Sequence, residues 1–286
     1  DGVLRHYGKG RDGFNVVSNQ FSIHYFFENL GTLSEFLRNV SECCKVGGFF
    51  IGTSYDGRKV FQLLETKKPG ESIHIIKDGK KMWEIKKQYE NKQFPNSKAS
   101  VGYKIDVYQE SINKIFSEYL VNYEYLTTLM EDFGFVLVSS EEAQTMGLPS
   151  SMGNFNELFN TMQEDIKKRR LKKSDVGTAL SMSADEKRIS FLNKYFVFKK
   201  VRDVNAAQVA RILSDESTRE QLQNVKDSIE LQKAVMEEQQ AKPKIKKLKK
   251  KMKIKNTTTT TNKAEKKSQP IKLKRSRKKN IVLKKI

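Results

Sequence analysis

A strand, a helix and a second strand follow one another between Phe14 and Ile51, and this run constrains the fold more than anything else in the chain. Phe14 to Gln20 reads as a short buried strand, with Val16 and Val17 at its centre and polar Ser18-Asn19-Gln20 at its end. Apolar residues then recur at Leu33, Phe36, Leu37, Val40 and Cys44, the spacing of an amphipathic helix, with Thr32 placed as its N-cap. Gly47-Gly48 should stop that helix, and Phe49-Phe50-Ile51 forms a second buried strand. Parallel strands need a crossover between them, so the pattern predicts an α/β sheet.

The middle of the chain changes character. A helix is expected around Arg58 to Glu65. Ile73 to Ile76 and Met82 to Tyr89 then flank Lys77-Asp78-Gly79-Lys80, and Asp-Gly between two strand-like runs predicts a hairpin. Val101 to Tyr108 alternates and joins the same antiparallel layer. Tyr123, Leu126, Met130 and Phe133 mark a helix closed by Gly134, with a strand at Phe135 to Val138. Phe155 to Arg170 reads as a helical insertion, and Tyr195 to Phe198 as the last strand. Three segments result: a domain over 1–200, a helical extension over 201–240, and a Lys-rich tail over 241–286, expected to be disordered when unbound.

The net charge of +20 belongs to the tail. Residues 241–286 hold 20 of the 54 Lys and Arg and one of the 34 Asp and Glu, leaving 34 basic and 33 acidic residues for the rest. The folded part is close to neutral, so the high pI describes a polycationic arm. Cys43 and Cys44 are adjacent, which suits small core residues in a reducing compartment better than a disulfide. No apolar run in the sequence is long enough to span a membrane, and no signal peptide is expected.

Two segments sit at the carboxyl ends of predicted parallel strands, where open α/β sheets bind ligands. Gln20-Phe21-Ser22-Ile23-His24-Tyr25-Phe26-Phe27 gathers a Gln, a His and four aromatics. It reads either as an aromatic core segment with one satisfied histidine or as a binding site. Ile51-Gly52-Thr53-Ser54-Tyr55-Asp56 pairs a glycine, suited to close backbone approach, with an aromatic face at Tyr55. Glu118 lies just ahead of the helix through Tyr123. There it either caps that helix electrostatically or accepts hydrogen bonds from a guanine edge. Gly8-Lys9-Gly10 lacks a preceding buried strand and reads as a surface turn, and His6 and His74 have no metal-like spacing. No zinc pattern, P-loop or Ser-His-Asp arrangement is present.

Together these blocks resemble the mRNA cap guanine-N7 methyltransferases of eukaryotes and large DNA viruses. Phe14 to Asn29 matches the family's Gln-Phe-x-x-His-Tyr block. It is followed in order by Gly48 to Thr53, Gly102-Tyr103-Lys104-Ile105-Asp106, Ser117-Glu118-Tyr119-Leu120-Val121 and Tyr195 to Phe198. Phe26-Phe27-Glu28-Asn29 and Glu186 to Asn193 look like the viral branch, as part of a viral mRNA-capping enzyme.

The resemblance implies a class I S-adenosylmethionine-dependent methyltransferase fold, a Rossmann-like sheet with its N-terminal strands missing and an inserted antiparallel cap-binding layer. It implies S-adenosylmethionine as cofactor, contacted by Gln20, and 5′-capped RNA as substrate. Phe21, His24, Tyr25, Tyr55, Glu118 and Tyr195 would bind the cap, although Tyr55 stands where cellular relatives commonly have proline. The expected reaction is methyl transfer to guanine N7 by orientation, without a catalytic acid or base or a metal. The family's Gly-rich cofactor loop has no counterpart in Asp1 to Gly13, which suggests a fragment that binds the cofactor poorly. The competing expectation is a non-catalytic RNA-binding or stimulatory subunit. Expected partners are RNA phosphates for the tail, and upstream triphosphatase and guanylyltransferase domains. Localisation would be cytoplasmic, in a virus factory or virion, for a viral protein and nuclear for a cellular one.

Overall fold

The computed structural model describes residues 8–256. Strand β1 (Phe14–Gln20) runs through a one-turn helix α1 (Ile23–Phe26) and α2 (Leu30–Cys43) into the long strand β2 (Cys44–Tyr55). β1 and β2 pair in parallel, from Val16 opposite Phe49 to Gln20 opposite Thr53. The predicted crossover unit is therefore present, with two corrections at its joints. Asn29, not Thr32, caps α2, because its side chain accepts the Thr32 N–H at 2.9 Å. Gly47-Gly48 do not end the helix, which stops at Cys43, and both glycines lie within β2. The end of α2 is held instead by the buried Lys200, whose ammonium donates to the Ser41 and Cys44 carbonyls, each at 2.9 Å. A cation is well placed on the free carbonyls of a helix C-terminus. Cys44 is buried but Cys43 is exposed, so only one of the pair is a core residue.

After β2 come α3 (Gly57–Leu63) and an antiparallel sheet of β3 (Ser72–Lys77), β4 (Lys80–Lys87), β5 (Lys104–Gln109) and β6 (Lys114–Tyr119), in that order. Glu118 lies on β6, opposite Ile105. It is thus not at a helix start: the next helix, α4 (Tyr123–Asp132), is capped by Asn122. The chain then returns through β7 (Phe135–Leu137), α5 (Ser140–Thr145), β8 (Met152–Asn154), α6 (Phe155–Lys167) and α7 (Ala184–Ser190) to β9 (Asn193–Lys200). β9 enters the first sheet antiparallel to β2, giving the order β1-β2-β9-β7, and β8 also pairs with β9.

One core fills the space between this sheet and helices α2 and α4, built on Leu33, Leu37, Phe50, Leu126, Phe133 and Phe198. A second lies against the antiparallel sheet and holds Tyr55, Val60, Trp83, Ile85 and Ile105. β1 departs from the expectation of a buried strand. Among the described residues it is paired on one edge only, and Phe14 and Val16 are 53% and 49% exposed.

Helix α8 (Ala206–Asn256) runs sixteen residues beyond the expected boundary at 240. Lysine is a good helix former, so a composition too polar to build a core can still hold a helical backbone. By internal contacts the chain divides into residues 1–223 and 224–286, and within the first Ala206 and Ala210 are buried in the main core. The rest of the predicted tail, 257–286, lies outside the described residues. Among the described residues no helix is long and apolar enough to cross a membrane.

Candidate functional site

Phe21 turns the chain off the end of β1. Its N–H still donates to the Thr53 carbonyl at 2.8 Å, but its φ of +51° breaks the extended backbone and starts α1 one residue later. A bulky residue in the left-handed region is strained, and such strain collects at ligand sites. Ile23 and Phe27 anchor the segment in the core, whereas Phe21 and Tyr25 remain 53% and 43% exposed. The one-turn helix thus buries one side and presents aromatic rings from the other.

His24 is buried beside Tyr25, the ring centroids 4.2 Å apart and edge-on. Across from it lies Glu118 of β6, also buried, with His24 Nε2 3.7 Å from Glu118 Oε2. That separation is too long for a hydrogen bond, and neither ring nitrogen of His24 has a partner among the described residues. Burial pushes the His24 pKa down to about 4 and raises that of Glu118 to about 7. The pair is therefore a neutral imidazole beside a carboxyl poised near neutrality, not a buried ion pair.

Tyr55, at the end of β2, is a fixed wall of the same site. Its hydroxyl accepts from Trp83 Nε1 at 3.0 Å and from Gln109 Nε2 at 3.5 Å. Phe21, His24, Tyr25, Tyr55 and Glu118 all line one cavity of about 700 Å³. Its size suits a ligand larger than a single base. Five of the six residues expected to bind one ligand are thus brought together.

Tyr195 is not among them. Asn193, at the start of β9, lines this cavity, whereas Tyr195, two residues further along, lines a second, apolar hollow of about 360 Å³. There its hydroxyl donates to the Ser150 carbonyl at 3.0 Å. Gln20 lines that second hollow too, its Oε1 accepting from the Thr53 hydroxyl at 2.8 Å and its Nε2 donating to Ser18 Oγ at 3.0 Å. Consecutive residues, Gln20 and Phe21, therefore line two different hollows, the second of which extends along the strands as far as Val16 and Phe49. Gly52 does permit a close approach, but by the Phe196 ring and the Asn19 carbonyl of the protein itself.

Sequence reasoning missed Trp83, Gln109, Lys114, Phe116 and Asn193 as lining residues. Reading Lys114 to Tyr119 as a strand would have found two of them, since Lys114, Phe116 and Glu118 then share a face.

A parallel pair extended by an antiparallel strand, helices on the core face and a cavity at the carboxyl ends of the parallel strands define a Rossmann-like α/β protein of the class I methyltransferase type. Residues 3–201 match the mRNA (guanine-N(7))-methyltransferase domain, and the chain belongs to that family. A probable mRNA-capping enzyme of Acanthamoeba polyphaga mimivirus is 27% identical over 235 residues, 72% of this chain and 19% of that protein. The mRNA cap guanine-N(7) methyltransferase of Candida glabrata is 29% identical over 196 residues, 66% of this chain and 44% of that protein. The chain thus spans less than half the length of either relative. Among solved structures, the CcbJ methyltransferase from Streptomyces caelestis aligns over 68% of this chain and 59% of its own at 11% identity, with a TM-score of 0.36.

Proposed function

We propose that this chain supplies the cap-reading part of an mRNA cap guanine-N7 methyltransferase, which moves a methyl group from S-adenosylmethionine to N7 of the cap guanine. The observation that carries the reading is Glu118, a buried carboxyl in an aromatic-lined cavity with no hydrogen-bond partner for its side chain among the described residues. Guanine presents two adjacent N–H donors on one edge, and an ionised carboxylate can accept both. The rings of Phe21 and Tyr25 bound the space where the purine faces would lie, with Tyr55 as the immobile wall. His24, neutral near pH 7, offers a ring nitrogen as acceptor or donor without bringing a charge.

The chemistry asks for no proton transfer at the nucleophile, because guanine N7 already carries a lone pair. What these residues contribute is orientation, which replaces a bimolecular encounter, and a carboxylate whose charge complements the cation that forms on the ring. On the donor side, Gln20 and the apolar hollow beside it are this chain's share of the contact. These groups fit one edge of S-adenosylmethionine, which when bound supplies an electrophilic methyl on a sulfonium. Among the described residues no carboxylate for its ribose lines the hollow. RNA beyond the cap would be held through its phosphates by the 20 basic residues of 241–286, and the length of the mimivirus relative supports linked capping domains as partners.

The test compares GTP with ITP, which lacks the exocyclic donor, in equilibrium binding. The wild-type chain should bind GTP about ten times more tightly or better, the worth of one charge-assisted hydrogen bond. Glu118→Gln should abolish that preference. Equal affinity of the wild type for both nucleotides would remove the assignment of Glu118.

A further inference from the structure

The cavity extends outward from Glu118 along β6. Side chains alternate across a strand, so Lys114, Phe116 and Glu118 share one face at about 7 Å per step, and all three line the cavity. Their exposure rises in order: Glu118 is 8% exposed, Phe116 39%, and Lys114 lies open at the rim. The walls carry three carboxylates, Glu110, Glu118 and Glu186, and among the described residues Lys114 is the only lining cation. Glu186 closes the capping box of α7, where its Oε2 accepts the Ser183 N–H at 2.7 Å, so it adds negative charge to the far wall. A polyanion entering this space is repelled by the other walls and attracted at one place.

We propose that the outer face of β6 is the exit track of the cap, with Lys114 binding the phosphate bridge and Phe116 forming the apolar wall for the nucleoside sugar and the nucleotide beyond. The inference rests on the reading of Glu118 as the guanine contact and adds a second subsite to it.

Guanosine, GTP and the dinucleotide GpppA separate the two subsites. Trp83, the only tryptophan, lines the cavity, so its fluorescence reports occupancy, with calorimetry as the parallel measurement. Lys114→Gln should leave guanosine affinity unchanged and weaken GTP and GpppA about tenfold at low ionic strength, with a flatter salt dependence than the wild type. Phe116→Ala should weaken GpppA more than GTP. Loss of guanosine and GpppA binding in equal proportion, or no loss for either, would overturn the track. Glu118→Gln keeps the two readings apart. If it leaves guanosine binding intact, the guanine contact fails while a phosphate-selective effect of Lys114→Gln still stands on its own. Lys114 is a surface side chain, so its substitution does not put folding at risk.

Discussion

His24 and Glu118 share one apolar surrounding that pulls their pKa values in opposite directions, and this makes their linkage to stability readable. Glu118 titrates near 7 in the fold against 4.5 for the free side chain. As pH rises from 4.5 to 7 the unfolded chain loses this proton and the fold does not, so stability falls by about 3 kcal/mol and then levels off. His24 titrates near 4 against 6.5. As pH falls from 6.5 to 4 the unfolded chain gains a proton that the fold refuses, again a loss of about 3 kcal/mol. In the wild type the two contributions nearly cancel between pH 7 and 4. Glu118→Gln should therefore be more stable than wild type by roughly 3 kcal/mol at pH 8 and equal to it at pH 4, measured by urea unfolding. Cap binding should move the other way: the carboxylate must be ionised to accept two N–H bonds, so affinity rises up to about tenfold per unit below pH 7 and is flat above pH 8. A pH-independent affinity in the wild type would show that Glu118 does not titrate at the ligand.

At the scale of elements, the legible parts of the sequence are those where local chemistry and tertiary role agree. Asp78-Gly79 specifies its hairpin because both residues adopt positive φ, +51° and +75°, the turn that matches strand twist. The α2 stripe was legible because the helix buries one face only. β6 was not, and the reason is the site. Its outer residues are exposed while the residue turned most deeply inward is a glutamate, so apolar and polar positions do not alternate as burial does. Function broke the pattern that would have revealed the strand. β1 differs for another reason: its apolar centre implied burial, but among the described residues it is an edge strand whose Phe14 and Val16 stay exposed. The pairing of β2 with β9 can be tested through Gly52, where an added methyl would meet the Phe196 ring and the Asn19 carbonyl, a backbone atom that cannot turn away. Gly52→Ala should cost about 1–3 kcal/mol. It should also shift β9, lowering cap affinity through Asn193 without touching Glu118. Thermal unfolding and GpppA binding of this variant, measured together, check both parts. A stable protein with weakened binding would place the fault at the cavity alone.

For the whole molecule, charge and fold separate along the chain. Residues 224–286 carry 22 of the 54 basic and 5 of the 34 acidic residues, while every residue assigned to the cavity lies between 21 and 193. The core that positions the cavity closes with Ala206 and Ala210, so a chain ending at 223 keeps each of its contacts. Such a truncation should unfold at the same temperature as the full chain, within a degree or two, and bind GpppA with unchanged affinity. Its affinity for a capped RNA of some thirty nucleotides should fall by at least an order of magnitude at low salt, because the lysine-rich region releases counterions from many phosphates at once. Raising the salt should erase the difference between the two chains, since only the full-length protein has that electrostatic contribution to lose. The result that distinguishes tethering from general stickiness is the ratio of capped to uncapped RNA affinity. If the basic arm merely adds phosphate contacts to whatever the cavity holds, deletion lowers both affinities by the same factor and leaves the ratio intact. If deletion changes the ratio, the arm takes part in reading the cap itself, and the division between a selective cavity and an unselective arm fails.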